Sequence, residues 1–129
     1  MRDRFSDPDA DPGVTTRADL FDCGVLISAM EGELGPISRS HFVAPVALTR
    51  LAKVQLEAYA AGAGVSLATA WQRAAAGFRP GPGPEYLADL LITDPAGVRA
   101  DRVQRFKLMH GVGDAGERVV TFLLPEEDL

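Results

Sequence analysis

The sequence predicts an α+β protein in a single domain, with about four helices followed by a C-terminal antiparallel β-hairpin. Two periodicities carry this expectation. Between Pro45 and Ala61 the apolar residues Ala47, Leu51, Val54, Ala58 and Ala61 recur at helical spacing. From Arg105 onward the period shortens to two. Phe106 and Leu108 alternate with Arg105 and Lys107, and Val119-Val120-Thr121-Phe122-Leu123-Leu124 is rich in strand formers. Size agrees: 129 residues, 47% hydrophobic and 24% charged, suit one domain able to bury a core.

The elements follow in order. Residues 1–15 include Asp7-Pro8-Asp9-Ala10-Asp11-Pro12-Gly13, too polar and too broken by proline to pack, and read as a disordered acidic arm. Thr16, with Asp19 three residues on, offers a cap for a first helix over 17–34, stopped by Gly35-Pro36. Gly24 and Gly32 weaken that helix, and Gly24-Val25-Leu26-Ile27 reads equally as a short buried strand. Pro45 suits the first turn of a second helix. Gly62-Ala63-Gly64 turns the chain into a third helix over 67–76, with Ser66 as its cap. Gly77 and Pro80-Gly81-Pro82-Gly83-Pro84 end it. A short fourth helix is expected over 85–92, burying Leu87, Leu90 and Leu91, before the turn Asp94-Pro95-Ala96-Gly97 and the hairpin. The domain is expected to end near Pro125, leaving 126–129 as an acidic tail.

Composition narrows the function classes. The longest apolar runs are a few residues, far short of the ~20 that cross a bilayer, so no membrane contact is expected. The first residues carry charge without an apolar stretch behind them, which is not the pattern of a signal peptide. A single cysteine, Cys23, rules out an internal disulfide framework and points to a reducing cytoplasm. The net charge of −5 is unevenly spread: residues 35–80 hold Arg39, Arg50, Lys53, Arg73 and Arg79 against Glu57 alone, a balance of +4. Residues 99–113 carry +3, and the two ends are acidic.

Several motifs carry little chemistry. Gly111-Val112-Gly113-Asp114-Ala115-Gly116 spells G-x-G-x-x-G, but strand-like residues follow where a dinucleotide site needs a helix. It reads as a hairpin tip. His41 and His110 stand far apart, and neither has a second metal ligand at helical or hairpin spacing. Asp19, Asp22, Glu31 and Glu33 read as solvated carboxylates. No metal and no cofactor is expected.

The segment Tyr59 to Ala70 says more. Ala60 is small where two helices would touch, Gly64 turns, Val65 plugs the corner and Ser66 caps the next helix. The pattern Tyr59-Ala60-x-x-Ala63-Gly64-Val65-Ser66-x-x-Thr69-Ala70 resembles the helix-turn-helix of the Lac-repressor family. Gly77-x-x-Pro80-x-Pro82-x-Pro84-Glu85-x-Leu87 looks like the linker after the recognition helix of phage-repressor-like regulators. The resemblance covers residues 59–87 and implies a non-catalytic, transcription-associated protein that binds duplex DNA as a homodimer. It implies that Ser66 to Arg73 enter the major groove, with Leu67, Ala68 and Gln72 at base-reading positions. Arg50, Lys53, Arg73 and Arg79 would hold phosphates. Two other readings stay open. One is an interaction subunit whose Ala-rich helices pack on a protein partner, with Trp71 and the alanines as core. The other is a small acid–base enzyme using His41 and a carboxylate of the first helix.

Overall fold

The computed structural model describes residues 15–128. All of the acidic arm except Thr15 therefore lies outside the described residues, as does Leu129 of the tail. Helix α1 spans Arg17–Asp22, and the Thr16–Asp19 capping box closes its N-terminus through two 3.1 Å hydrogen bonds. The expected helix over 17–34 goes no further. Gly24 and Gly32 adopt φ of 81° and 63°, which a right-handed helix cannot contain. Between them lies β1, Leu26–Ser28, and a 3-10 turn over Gly32–Leu34 follows. Gly35-Pro36 starts a helix instead of stopping one. Helix α2 runs Gly35–His41 with the proline in its first turn, where the missing N–H costs nothing.

Pro45 opens no helix either. Val46–Thr49 is strand β2, buried along its whole length, and α3 begins after it at Arg50 and runs to Ala63. The Thr49 hydroxyl accepts from the Ala52 N–H at 3.1 Å and caps α3. The shifted start changes the buried face. Ala52, Leu56 and Ala60 point into the core, while Leu51 and Val54 are 52% and 49% exposed. Gly64, at φ 67°, ends α3, and Ser66 caps α4, Leu67–Gly77, through the Thr69 N–H. Ala63 of the turn is exposed.

Two-residue β3, Arg79–Pro80, leads to β4, Tyr86–Ile92, where a helix was expected. Seven consecutive β4 residues pair with β5, Arg102–Val112, so ladder pairing overrides local helix propensity. Ala88 and Ile92 of β4 are buried, whereas Leu91 is 52% exposed. Strand β6, Arg118–Leu123, pairs with β5 across the glycine-rich turn and then lies parallel to β2, matching Val46 with Val120. The result is one six-stranded mixed sheet in the order β1-β2-β6-β5-β4-β3. The fold is α+β, but its layout is not helices followed by a hairpin. The hairpin strands lie inside the sheet, and strands precede α3 and α4.

Helices α2, α3 and α4 cover one face of the sheet. Their core centres on Phe122, with Trp71 edge-on at 4.8 Å, Phe106 stacked at 4.8 Å and Phe78 edge-on at 5.5 Å. Ser38, itself buried, accepts from Trp71 Nε1 at 2.9 Å and donates to the Ala29 carbonyl at 2.7 Å, so no polar atom of this trio is stranded. The opposite face carries α1. The Arg17 guanidinium donates to Thr121 Oγ1, and the Asp114 carboxylate accepts from the Arg17 and Ala18 N–H groups at 2.9 Å each. These N–H groups hold the Asp114 carboxyl below its ordinary pKa. Glu127 of the acidic tail is docked on this side too, accepting from Thr49 Oγ1 and from the Leu124 N–H.

Candidate functional site

Strand length and helix length do not match, and the mismatch makes a concavity. The eleven residues of β5 extend ~37 Å at about 3.4 Å each. The fourteen of α3 span only ~21 Å at about 1.5 Å each. The helices cover the middle and one end of the sheet face and leave the other end bare.

Side-chain alternation along the strands decides what floors that end. Phe106, Leu108 and His110 of β5 share a face with Tyr86 of β4 and with Arg118, Val120 and Phe122 of β6. The α2–β2 connection, His41 to Ala44, forms one wall, and Phe78 closes the side towards α4. The trough so formed has a volume of about 680 Å³. Its lining is mainly apolar. The polar groups are few: His41, His110, Tyr86 and Arg118. Val43 and Val112 stand open on its rim, and no carboxylate or thiol is among its described lining residues.

Both histidines of the chain thus meet at one site, although the sequence separates them widely. Each is oriented by a neighbour. Gln72 Nε2 lies 3.0 Å from His41 Nε2, and since an amide NH₂ can only donate, that ring nitrogen accepts. His110 stands edge-on to Tyr86 with ring centroids 5.8 Å apart.

The residues proposed to contact DNA are distributed differently. Ser66 caps α4, as its hydroxyl chemistry suits. Leu67 and Ala68 are half-buried, and the Ala68 N–H donates to Glu33 Oε1 at 3.1 Å. Gln72 is exposed but bonded to His41, and Arg73 donates to the Tyr59 hydroxyl at 2.9 Å. Ala70, Trp71 and Ala74 of the same helix are fully buried, so α4 is a core helix on that side. Arg50 is exposed and Lys53 half-buried on α3. Arg79 points away from all of these. It pairs in register with Leu87 and sits 3.8 Å from Asp89, on the sheet face opposite the helices. The four cations therefore do not form one surface.

Among the described lining residues of the trough, no carboxylate stands beside His41 for the acid–base reading. Asp19 is used in the α1 capping box on the far face of the sheet, and Glu33 is used at the α4 N-terminus. Among the described residues, no group of three or more His, Cys, Asp or Glu is placed to hold a metal ion. No helix among them is long and apolar enough to cross a membrane.

Tyr86, His110, Arg118 and Val120 escaped the sequence reading as site residues. One signal pointed to them. His110 continues the i, i+2, i+4 series of Phe106 and Leu108, which puts a polar ring on the core face of its strand. In comparisons with known protein families, curated proteins and solved structures, nothing matches this chain.

Proposed function

We propose that this chain is a non-catalytic binding protein whose trough takes a small amphipathic carboxylate. One observation carries the reading: an otherwise apolar concavity of about 680 Å³ has Arg118, both histidines and Tyr86 as its polar groups. That volume lies within the range of small-molecule sites, which pair an apolar lining with a few convergent polar groups. The floor of Leu108 and Val120 and the Phe42 and Phe78 rings would take the apolar body. The Arg118 guanidinium complements a carboxylate, with the His41 or His110 ring and the Tyr86 hydroxyl available as donors. We assign the protein to the cytoplasm, where the free, exposed thiol of Cys23 stays reduced.

Decanoate is the test ligand and decanol its uncharged counterpart. With about 0.3–0.5 kcal/mol for each of its heavy atoms, decanoate should bind with a Kd of roughly 0.04–2 mM. The ring-proton NMR signals of His41 and His110 report it directly, since these are the two histidines of the sequence. Both should shift together on titration, and Arg118→Gln should weaken decanoate about tenfold while leaving decanol alone. Unmoved histidine signals at millimolar decanoate would overturn the reading. Equal binding of decanol and decanoate would remove its carboxylate part.

Duplex DNA is the second reading, favoured by the left-handed Gly64 and the Ser66 cap of the α3–α4 turn. Glu33 at the α4 N-terminus repels phosphate there, and Arg79 lies on the other sheet face. Little duplex binding is therefore expected. A slope of log K against log salt near −3.6, the value for four phosphate contacts at about −0.9 each, would restore the DNA reading.

A further inference from the structure

We propose that the outward face of α3 is the seam of an antiparallel homodimer, an inference independent of the trough. Leu51, Val54, Ala58 and Ala61 follow one another at three- and four-residue steps and form a single stripe along the helix. Among the described residues, Leu51 and Val54 are left about half exposed. These residues carry the helical periodicity visible in the sequence, but the core uses Ala52, Leu56 and Ala60 instead. A second apolar face on a helix already packed by its first is a surface looking for a partner.

Charge identifies the partner as a second copy. Arg50 and Glu57 are both exposed, lie two turns apart and flank the same edge of the stripe. When two such helices cross antiparallel near Val54, Arg50 of each protomer meets Glu57 of the other, and the contact forms twice. A parallel pairing would place this charged edge on opposite sides of the seam in the two copies and form neither contact. Shape agrees with charge. Ala58 and Ala61, with Pro95 and Ala100 of the β4–β5 connection and the charged Asp94, Arg99 and Arg102 around them, line a hollow of about 200 Å³. In the antiparallel arrangement the Leu51 side chain of the other protomer reaches this hollow. One patch thus supplies knob, hollow, cation and anion in two-fold order, which is what an isologous interface requires. A single helix seam falls at the small end of specific interfaces, so the dimer should be weak and concentration-dependent.

Sedimentation velocity on the full chain, from micromolar to near-millimolar concentration, tests the proposal. A monomer–dimer equilibrium is expected. Glu57→Arg and Arg50→Glu should each weaken it at least about tenfold, and the double reversal should restore it, because the swapped charges again meet as opposites. Circular dichroism melting of each variant checks that these exposed changes leave the fold intact. A chain that stays monomeric throughout overturns the proposal. So does a dimer insensitive to both single reversals, or a double reversal that fails to restore association.

Discussion

The helix-bearing face of the sheet has two halves that differ in one respect, whether a helix lies over them. Where α3 and α4 cross it, small residues bring the helices close. Ala52, Ala70 and Ala74 are fully buried, and the aromatic cluster around Phe122 fills the space they leave. Past the helix ends the same strands continue, and the same alternation now presents Tyr86, His110 and Arg118 above an apolar floor. The strands do not change; the cover does. A sheet longer than its helices therefore generates a concave, partly apolar surface without any residue being strained to make one. Variants of the covered half should lose stability, and variants of the bare half should lose binding.

The largest expected effect is on the covered side. Trp71→Ala removes a fully buried ring that packs edge-on against Phe122 and should cost about 3–5 kcal/mol, read from denaturant unfolding. Ser38→Ala comes next. It strands the Trp71 Nε1–H and removes a donor from the Ala29 carbonyl, at a cost of about 1–3 kcal/mol. Should either change cost under about 0.5 kcal/mol, the covered half would not be the stability centre, and the contrast between halves would fail. Val43→Ala, on the open rim, is the counterpart. Val43 is fully exposed, so unfolding should move by no more than about 0.5 kcal/mol while decanoate binding weakens.

How much of this was readable from residues alone depends on the range of the interactions involved. The turn into α4 was legible because its signals are local: a glycine able to reach positive φ and a serine three residues before the N–H that it caps. The β5–β6 alternation was legible for the same reason. Strand β2 was not. Its unbroken Val46-Ala47-Leu48 run reflects burial between β1 and β6, and its β6 partners lie more than seventy residues further along the chain. Misreading it as helix also misassigned the core face of α3, placing Leu51 and Val54 inside. The trough was hidden for a related reason. His41 and His110 become neighbours only once α2, β5 and β6 are assembled, although the parity of His110 with Phe106 was there to read.

The opposite sheet face gives a smaller, local effect. Two N–H groups of α1 bond the Asp114 carboxylate and hold its pKa below the unfolded value of about 3.9. A carboxylate depressed in this way stabilises the folded state fully above the unfolded pKa, and the contribution is lost as pH falls through the folded one. Acidification through that window should release α1, seen as a fall in the protection of the Leu20 and Cys23 amides relative to their intrinsic exchange rate at each pH, with Phe106 and Phe122 still protected. Asp114→Ala should do the same at neutral pH. Equal loss at the core amides would instead make α1 part of the global unfolding unit.

The smallest expected effects divide the two halves most finely, because they come from one helix pair. Ala63 ends α3 and is exposed, so Ala63→Leu should change stability by no more than about 0.5 kcal/mol. A buried helix contact would respond with the ~1–3 kcal/mol of overpacking. Gln72 is also exposed, and Gln72→Ala should be equally mild in unfolding. Its effect should appear elsewhere. Without the Gln72 amide, His41 loses the 3.0 Å hydrogen bond that fixes its ring at the edge of the trough. The His41 ring signals should then shift and broaden, decanoate should bind more weakly, and His110 should be undisturbed in the free protein. Were Gln72→Ala to leave His41 unchanged, the hydrogen bond would not orient the ring, and the link between α4 and the bare half of the sheet would be broken. If Gln72→Ala instead weakened binding to a duplex by ~1–3 kcal/mol in a sequence-dependent way, α4 would be reading bases, and the helix-turn-helix would displace the trough as the functional site.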